Sequence, residues 1–289
     1  MKAKDRSFLF DYYVDQADRF KDLLGLVSHR HSITTIHQLR VSIKRIKALF
    51  QLLQYIYPDF KAKDYYSLFK PVFRSSGVIR ESQINLKLLK GYSEYVNLNN
   101  AYSIFISRFR KHWRNELIEV VKSFNYDKLA RQREEVRFLF HKLGNDGSVR
   151  ESKKFLRSEA ESILTIVDSS GITSCLHDIR ITFKNIKPIL ALAAQQEGSG
   201  IGKATSKHLA TTEKHIGRWH DLRILGESVR VLYNASGSDG GEIFQEYSAL
   251  MKLLNQQNSK GIDMICKWLD ITLNDLIRDD LSPSSVICK

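Results

Sequence analysis

Residues 36–53, IHQLRVSIKRIKALFQLL, and residues 176–193, LHDIRITFKNIKPILALA, are one pattern written twice. His37 stands over His177, Arg40 over Arg180, Lys44 over Lys184 and Lys47 over Lys187, each pair 140 residues apart. The same offset carries Lys63 onto Lys203, Arg74 onto Lys214, Gly77 onto Gly217, Arg80 onto His220 and Glu81 onto Asp221. A register held without a gap over about fifty positions marks an internal duplication. Within the first copy, Ile36, Leu39, Ile43, Ile46, Phe50 and Leu53 recur at intervals of three and four. That spacing makes a helix with one apolar face. His37, Arg40, Lys44 and Lys47 fall within an arc of roughly 80° beside that face, as a row of cations about 15 Å long. Arg45 lies off the row, and its counterpart is Asn185. The duplication therefore retains charge on the row and drops it elsewhere, which a merely solvated face has no reason to do.

Working outward, the helical period runs through almost the whole chain of 289 residues, with no sustained alternation of the kind a half-buried strand shows. The fold class is all-α. Pro58, the run NLNN at 97–100, GNDG at 144–147, GSGIG at 198–202 and SGSDGG at 236–241 punctuate it. They predict helices over 4–28, 33–57, 60–90, 101–124, 127–143, 148–168, 173–196, 203–233, 242–257 and 260–277. The duplication groups these into a first bundle, 1–143, and a second, 148–278, joined at Gly144 to Gly147 and followed by a flexible tail, 279–289.

Forty-five lysines and arginines against 32 acids give a net charge of +13, which predicts a polyanionic partner. No stretch approaches the roughly 18 apolar residues of a membrane span, and the first residues, MKAKDRSFLFDYYVDQ, place acids where a signal would be apolar. The expectation is a cytoplasmic protein that does not use a membrane. Cys175, Cys266 and Cys288 show neither paired nor zinc-type spacing. No GxSxG, catalytic Cys/His pattern or dinucleotide fingerprint appears.

Beside each cationic row the sequence places a second repeated patch. Arg74 or Lys214 precedes Glu81 or Asp221 by seven residues, two helical turns, with Gly77 or Gly217 between them. Glycine there permits a close approach by a helix or ligand. Glu81 and Asp221 read as carboxylates that orient arginine and lysine heads by charge-assisted hydrogen bonds; a general base is the alternative. His37, His177 and His220 invite a metal, but no HExxH or Glu-x-x-His pair accompanies them. The reading is hydrogen-bond donors to anionic oxygens, with neither metal nor cofactor. GSGIGKAT lacks phosphate-loop spacing and joins two helices. The cluster Arg108, Arg110, Lys111, His112, Trp113, Arg114 mixes charge and aromatic character as nucleic-acid binders do, but the second copy does not repeat it. Trp113 and Trp219 read as packing anchors.

HQLRVSIKRIKALF and HDIRITFKNIKPIL, with GVIRES and GRWHDL downstream, resemble the duplicated signature of the CHAD family, the conserved histidine α-helical domain. The resemblance covers essentially the whole chain. It implies two pseudo-symmetric four-helix bundles whose inner basic surfaces form a groove or pore for inorganic polyphosphate. It also implies association with polyphosphate granules and, in many members, a triphosphate-hydrolysing CYTH domain. No β-rich segment of that kind is present here, so the chain resembles the stand-alone form, which would work with a separate polyphosphate-metabolising enzyme. The family often has arginine where this chain has Lys44, Lys47, Lys184 and Lys187, and lysine lacks arginine's bidentate fork. The Arg-Asp pair of the second motif becomes Arg80-Glu81 in one copy and His220-Asp221 in the other. Pro188 directly follows the second row and is expected to bend it.

Two opposed cationic rows suit a linear, highly charged ligand. The expected function is binding of polyphosphate through His37, Arg40, Lys44, Lys47, Lys63, Arg74, Arg80, His177, Arg180, Lys184, Lys187, Lys203, Lys214 and His220, with no catalytic residues. Nucleic-acid binding is the alternative, and a metal-dependent phosphohydrolase using Glu81 or Asp221 a more distant one. Charge reversal at Arg40 and Lys44 should then weaken binding more than reversal at Arg108 and Arg110.

Overall fold

The computed structural model describes residues 7–29, 32–197, 201–236 and 241–277. Among these the chain is all-α. Nine helices follow in order: α1 (Phe8–His29), α2 (Ile33–Ile56), α3 (Ala62–Tyr66), α4 (Lys70–Lys90), α5 (Asn99–Lys122), α6 (Tyr126–Ser170), α7 (Ile172–Glu197), α8 (Ile201–Ala235) and α9 (Gly241–Ile277). The tail at 279–289, Cys288, and most of the glycine-rich runs at 198–202 and 236–241 lie outside the described residues.

Three boundaries differ from the sequence reading, each for a local reason. The segment 60–90 is not one helix: it breaks between α3 and α4, where Pro71 occupies the first turn of α4. Proline lacks the N–H that would bond back to the preceding turn and its ring clashes with that turn's carbonyl, so a helix does not run through it from α3, but it is well tolerated at a helix start. The joint between the halves is a kink at Gly144 instead of a four-residue loop, because its φ of 67° is open to glycine at little cost. The neighbouring Asn145 Oδ1 accepts a hydrogen bond from the Phe8 N–H at 3.0 Å, tying the kink to the start of α1. Residues 242–277, read as two helices, continue as one; Gly261 alone costs about 1 kcal/mol, too little to break a helix packed along its neighbour.

α2 begins at Ser32, whose side chain accepts from the Thr35 N–H at 3.0 Å and caps the helix carrying the first row. Ile36, Leu39, Ile43, Ile46, Phe50 and Leu53 are all fully buried, as are Leu176, Phe183 and Ile186 on α7. These faces lie in one apolar core that draws on all nine helices. A smaller core joins the α4–α5 turn to the α8–α9 pair through Leu89, Tyr92, Tyr102, Leu225, Val229 and Leu250. α2 packs directly on α7, and α4 on α8, so the helices carrying the repeated motifs are neighbours. α7 runs uninterrupted through Pro188.

Candidate functional site

Because their apolar faces share a core, α2 and α7 turn the adjacent cationic stripes toward each other. Lys44 of the first row lies within electrostatic reach of Arg180 of the second, and Lys184 within reach of Lys44 and Arg40. Burial, reinforced by this mutual repulsion, pushes the Lys44 ammonium down to about 8 and the Lys184 ammonium to about 7. Arg45, off the row, points instead to α1, its Nη1 donating to Gln16 Oε1 at 3.3 Å.

Arg40 is held from several sides. Its Nη1 donates to the Phe73 carbonyl and, at 3.3 Å, to Ser76 Oγ, while its guanidinium carbon lies 3.9 Å from the centre of the Phe73 ring. A Cβ on Gly77 would meet Nη1 at 3.1 Å. The close approach anticipated at this glycine is thus made by Arg40 itself, which clamps α2 onto α4. Its counterpart Gly217 faces open space. Lys47 is half-buried, with its ammonium 5.4 Å from the centre of the Tyr66 ring.

His37 sits at the exposed start of the first row, held below the usual imidazole range by burial and by the charges of Arg80, Lys44 and Arg40. In the second copy the His177 and His220 rings lie 6.1 Å apart. Burial and the charges of Arg180, Lys184, Arg223 and His177 push His220 down to about 3, and its buried Nδ1 has no hydrogen-bond partner among the described residues. His220 is therefore neutral at neutral pH within a cationic surround. Among the described residues no group of three or more His, Cys, Asp or Glu is arranged to hold a metal ion.

Of the two motif carboxylates, Asp221 acts across the halves. Asp221 faces Arg180, Lys184, Arg80 and Arg218, and Arg80 of the first copy has Asp221 of the second as its acidic neighbour. Burial nevertheless raises Asp221 above the ordinary carboxylate range. Glu81 is raised by burial and by Glu227, with Arg40 opposing. Among the described residues neither makes an ion pair with these cations, and the carboxylate that pairs directly with the row is Glu213, which takes the ammonium of Lys187. It also lies near Arg180, Lys44 and Lys184. Repetition does not reveal Glu213, because the duplication aligns it with Phe73 and not with another charge. That mismatch was the available signal, and it makes the halves unequal: Phe73 clamps Arg40 in one, Glu213 occupies Lys187 in the other.

Four candidates stand apart. Lys63, Arg74, Lys203 and Lys214 are exposed, and none of them contributes to the charge interactions just described. Conversely, the basic cluster read as local to one half reaches the site. Arg110, Trp113 and Arg114 of α5 line a cleft of about 950 Å³ together with Arg80, Arg218 and Asp221. Trp113 also packs against both cores, in keeping with its reading as an anchor.

The model of the CHAD domain matches residues 15–230. The chain belongs to the CHAD family. Both cationic rows and both second motifs of this CHAD domain lie inside the match, whereas α9 lies beyond it and still contributes Ile265, Leu269 and Leu273 to the main core. The crystal structure of the CHAD domain from the plant Ricinus communis is similar in fold, with a TM-score of 0.69 over 92% of each chain at 16% identity. No curated protein matches the chain. Among the described residues no helix is long and apolar enough to cross a membrane.

Proposed function

We propose that this CHAD domain binds inorganic polyphosphate, as a binding protein and not an enzyme, in the cytoplasm and on polyphosphate granules beside a separate enzyme that makes or degrades the polymer. The observation that carries this reading is the convergence of Arg40, Lys44, Arg180 and Lys184 from two duplicated helices, where burial first and neighbouring cations second hold Arg40, Lys44 and Lys184 below their ordinary ranges. Folding gathers like charges only at a cost, which a polyanion between them relieves. A linear polymer with a charge on every unit and no base edges to read fits a surface of repeated cations and few directional acceptors. Glu81 and Asp221 lie among cations, and magnesium chemistry asks for carboxylates to hold the metal as well as phosphates. Membership of the family whose signature the chain carries supports the same ligand.

The clean test avoids Arg40, whose removal would also release α2 from α4, and avoids Arg110, which lines the adjoining cleft. Lys44→Gln together with Lys184→Gln should weaken long-chain polyphosphate at least about tenfold, while Arg108→Gln with Lys111→Gln should leave it unchanged. Equal affinities for the two double variants would refute the assignment. Competition by RNA or DNA oligonucleotides at equal charge concentration and two salt concentrations separates the nucleic-acid alternative: displacement at parity would favour it. Release of orthophosphate with magnesium or manganese would contradict the non-enzymatic role.

A further inference from the structure

The cleft beside the central cations draws only Arg80 and Asp221 from the paired charges of the duplicated motif. The start of α2 together with α4, α5 and α8 walls it, and its approximate volume of 950 Å³ is at the upper end of ordinary ligand pockets. Its lining carries six cations and one carboxylate, Asp221. Arg80 and Asp221 belong to both places: they line the cleft, and they interact with each other and with the cations of the two rows. The cationic surface is therefore continuous from Lys44 and Lys184, past Arg80, to Arg110 and Arg114, one helical turn apart on α5 and both exposed. Concave walls that include Ile79, Ile84 and Trp113 keep the local dielectric low and concentrate the field. The duplication register sets Arg110 and Arg114 against Leu250 and Leu254, both core residues. The α5 arginines of the cleft thus occur in one half alone.

We propose that this cleft extends the polyanion path, holding the part of a linear phosphate chain that overruns the central cluster. Arg110, Arg114 and Arg218 contact the overrunning phosphates, and Arg80 with Asp221 marks the passage between the two regions. The inference rests on the polyphosphate reading and adds a length preference to it: long chains gain contacts that tripolyphosphate, too short to leave the central row, does not.

The experiment measures dissociation constants of the full chain for tripolyphosphate and for long-chain polyphosphate across a salt series. Arg110→Gln with Arg114→Gln is compared with Arg108→Gln with Lys111→Gln, which removes the same charge from the same helix outside the cleft; glutamine keeps the helix propensity of both. The first pair should lose at least about tenfold in long-chain affinity and about 1.4 in the slope of log K against log salt. Its affinity for tripolyphosphate should stay within about twofold, and the second pair should match wild type for both ligands. Equal long-chain affinity in the two double variants, or equal losses for both ligands in the first, overturns the extension while leaving the central site intact. A wild-type chain that binds neither phosphate removes the polyphosphate reading itself.

Discussion

Lys44 and Lys184 couple ligand binding to protons. With ammonium pKa values of about 8 and 7, roughly half of Lys44 and nine-tenths of Lys184 are neutral at pH 8 in the free chain. A phosphate charge about 4 Å away contributes about 4 kcal/mol at an effective dielectric constant of about 20. That interaction raises each lysine by about 3 pKa units, enough to charge both. Binding at pH 8 therefore takes up about 1.4 protons, against about 0.1 at pH 6, where both lysines are already charged. Titration calorimetry in buffers of different ionisation enthalpy reads this number as the slope of observed heat against buffer enthalpy. Lys44→Gln with Lys184→Gln should reduce it nearly to zero. A wild-type uptake at pH 8 that is negligible, or that survives in the double variant, would refute the argument that these two ammonium groups are desolvated together and face the ligand.

The free chain should also become more stable as pH rises from about 7 toward 10, because Lys184 and Lys44 are depressed in the folded state and the unfolded chain then holds more protons; melting temperatures that fall or stay level through this window would contradict it. Gly77→Ala should destabilise by about 1 kcal/mol or more by displacing the Arg40 guanidinium 3.1 Å away. Gly217→Ala has open space around it and should stabilise by up to about 1 kcal/mol through helix propensity. Chemical denaturation distinguishes the pair, and equal effects would negate the Arg40 clamp. Glu213→Gln releases Lys187 from its ion pair and should tighten polyphosphate about threefold at pH 7; unchanged affinity would place Lys187 outside the ligand path.

Much of the fold was legible because helices announce themselves locally. Apolar residues at intervals of three and four gave the all-α class, and the buried faces of α2 and α7 agree with that period residue by residue. Boundaries at Pro71, Gly144 and Gly261 were less legible, since each depends on whether a neighbour supports the helix through a weak position. Within the site, repetition picked out Lys44 and Lys184 but gave equal weight to Lys63, Arg74, Lys203 and Lys214, which stand apart from the central cations. Repetition also hid Glu213, Arg110 and Arg114, since each occurs in one copy only.

From sequence alone came the helical period, the duplication and the identity of the paired cations, because each is a relation between residues at a fixed separation along the chain. Tertiary structure alone decided that the two rows face each other, that Arg40 is engaged by α4, that Glu213 pairs with Lys187 and that α5 brings arginines to Asp221. Those outcomes depend on distances between helices far apart in the chain, and charges interact according to such distances and their burial, neither of which the order of residues records.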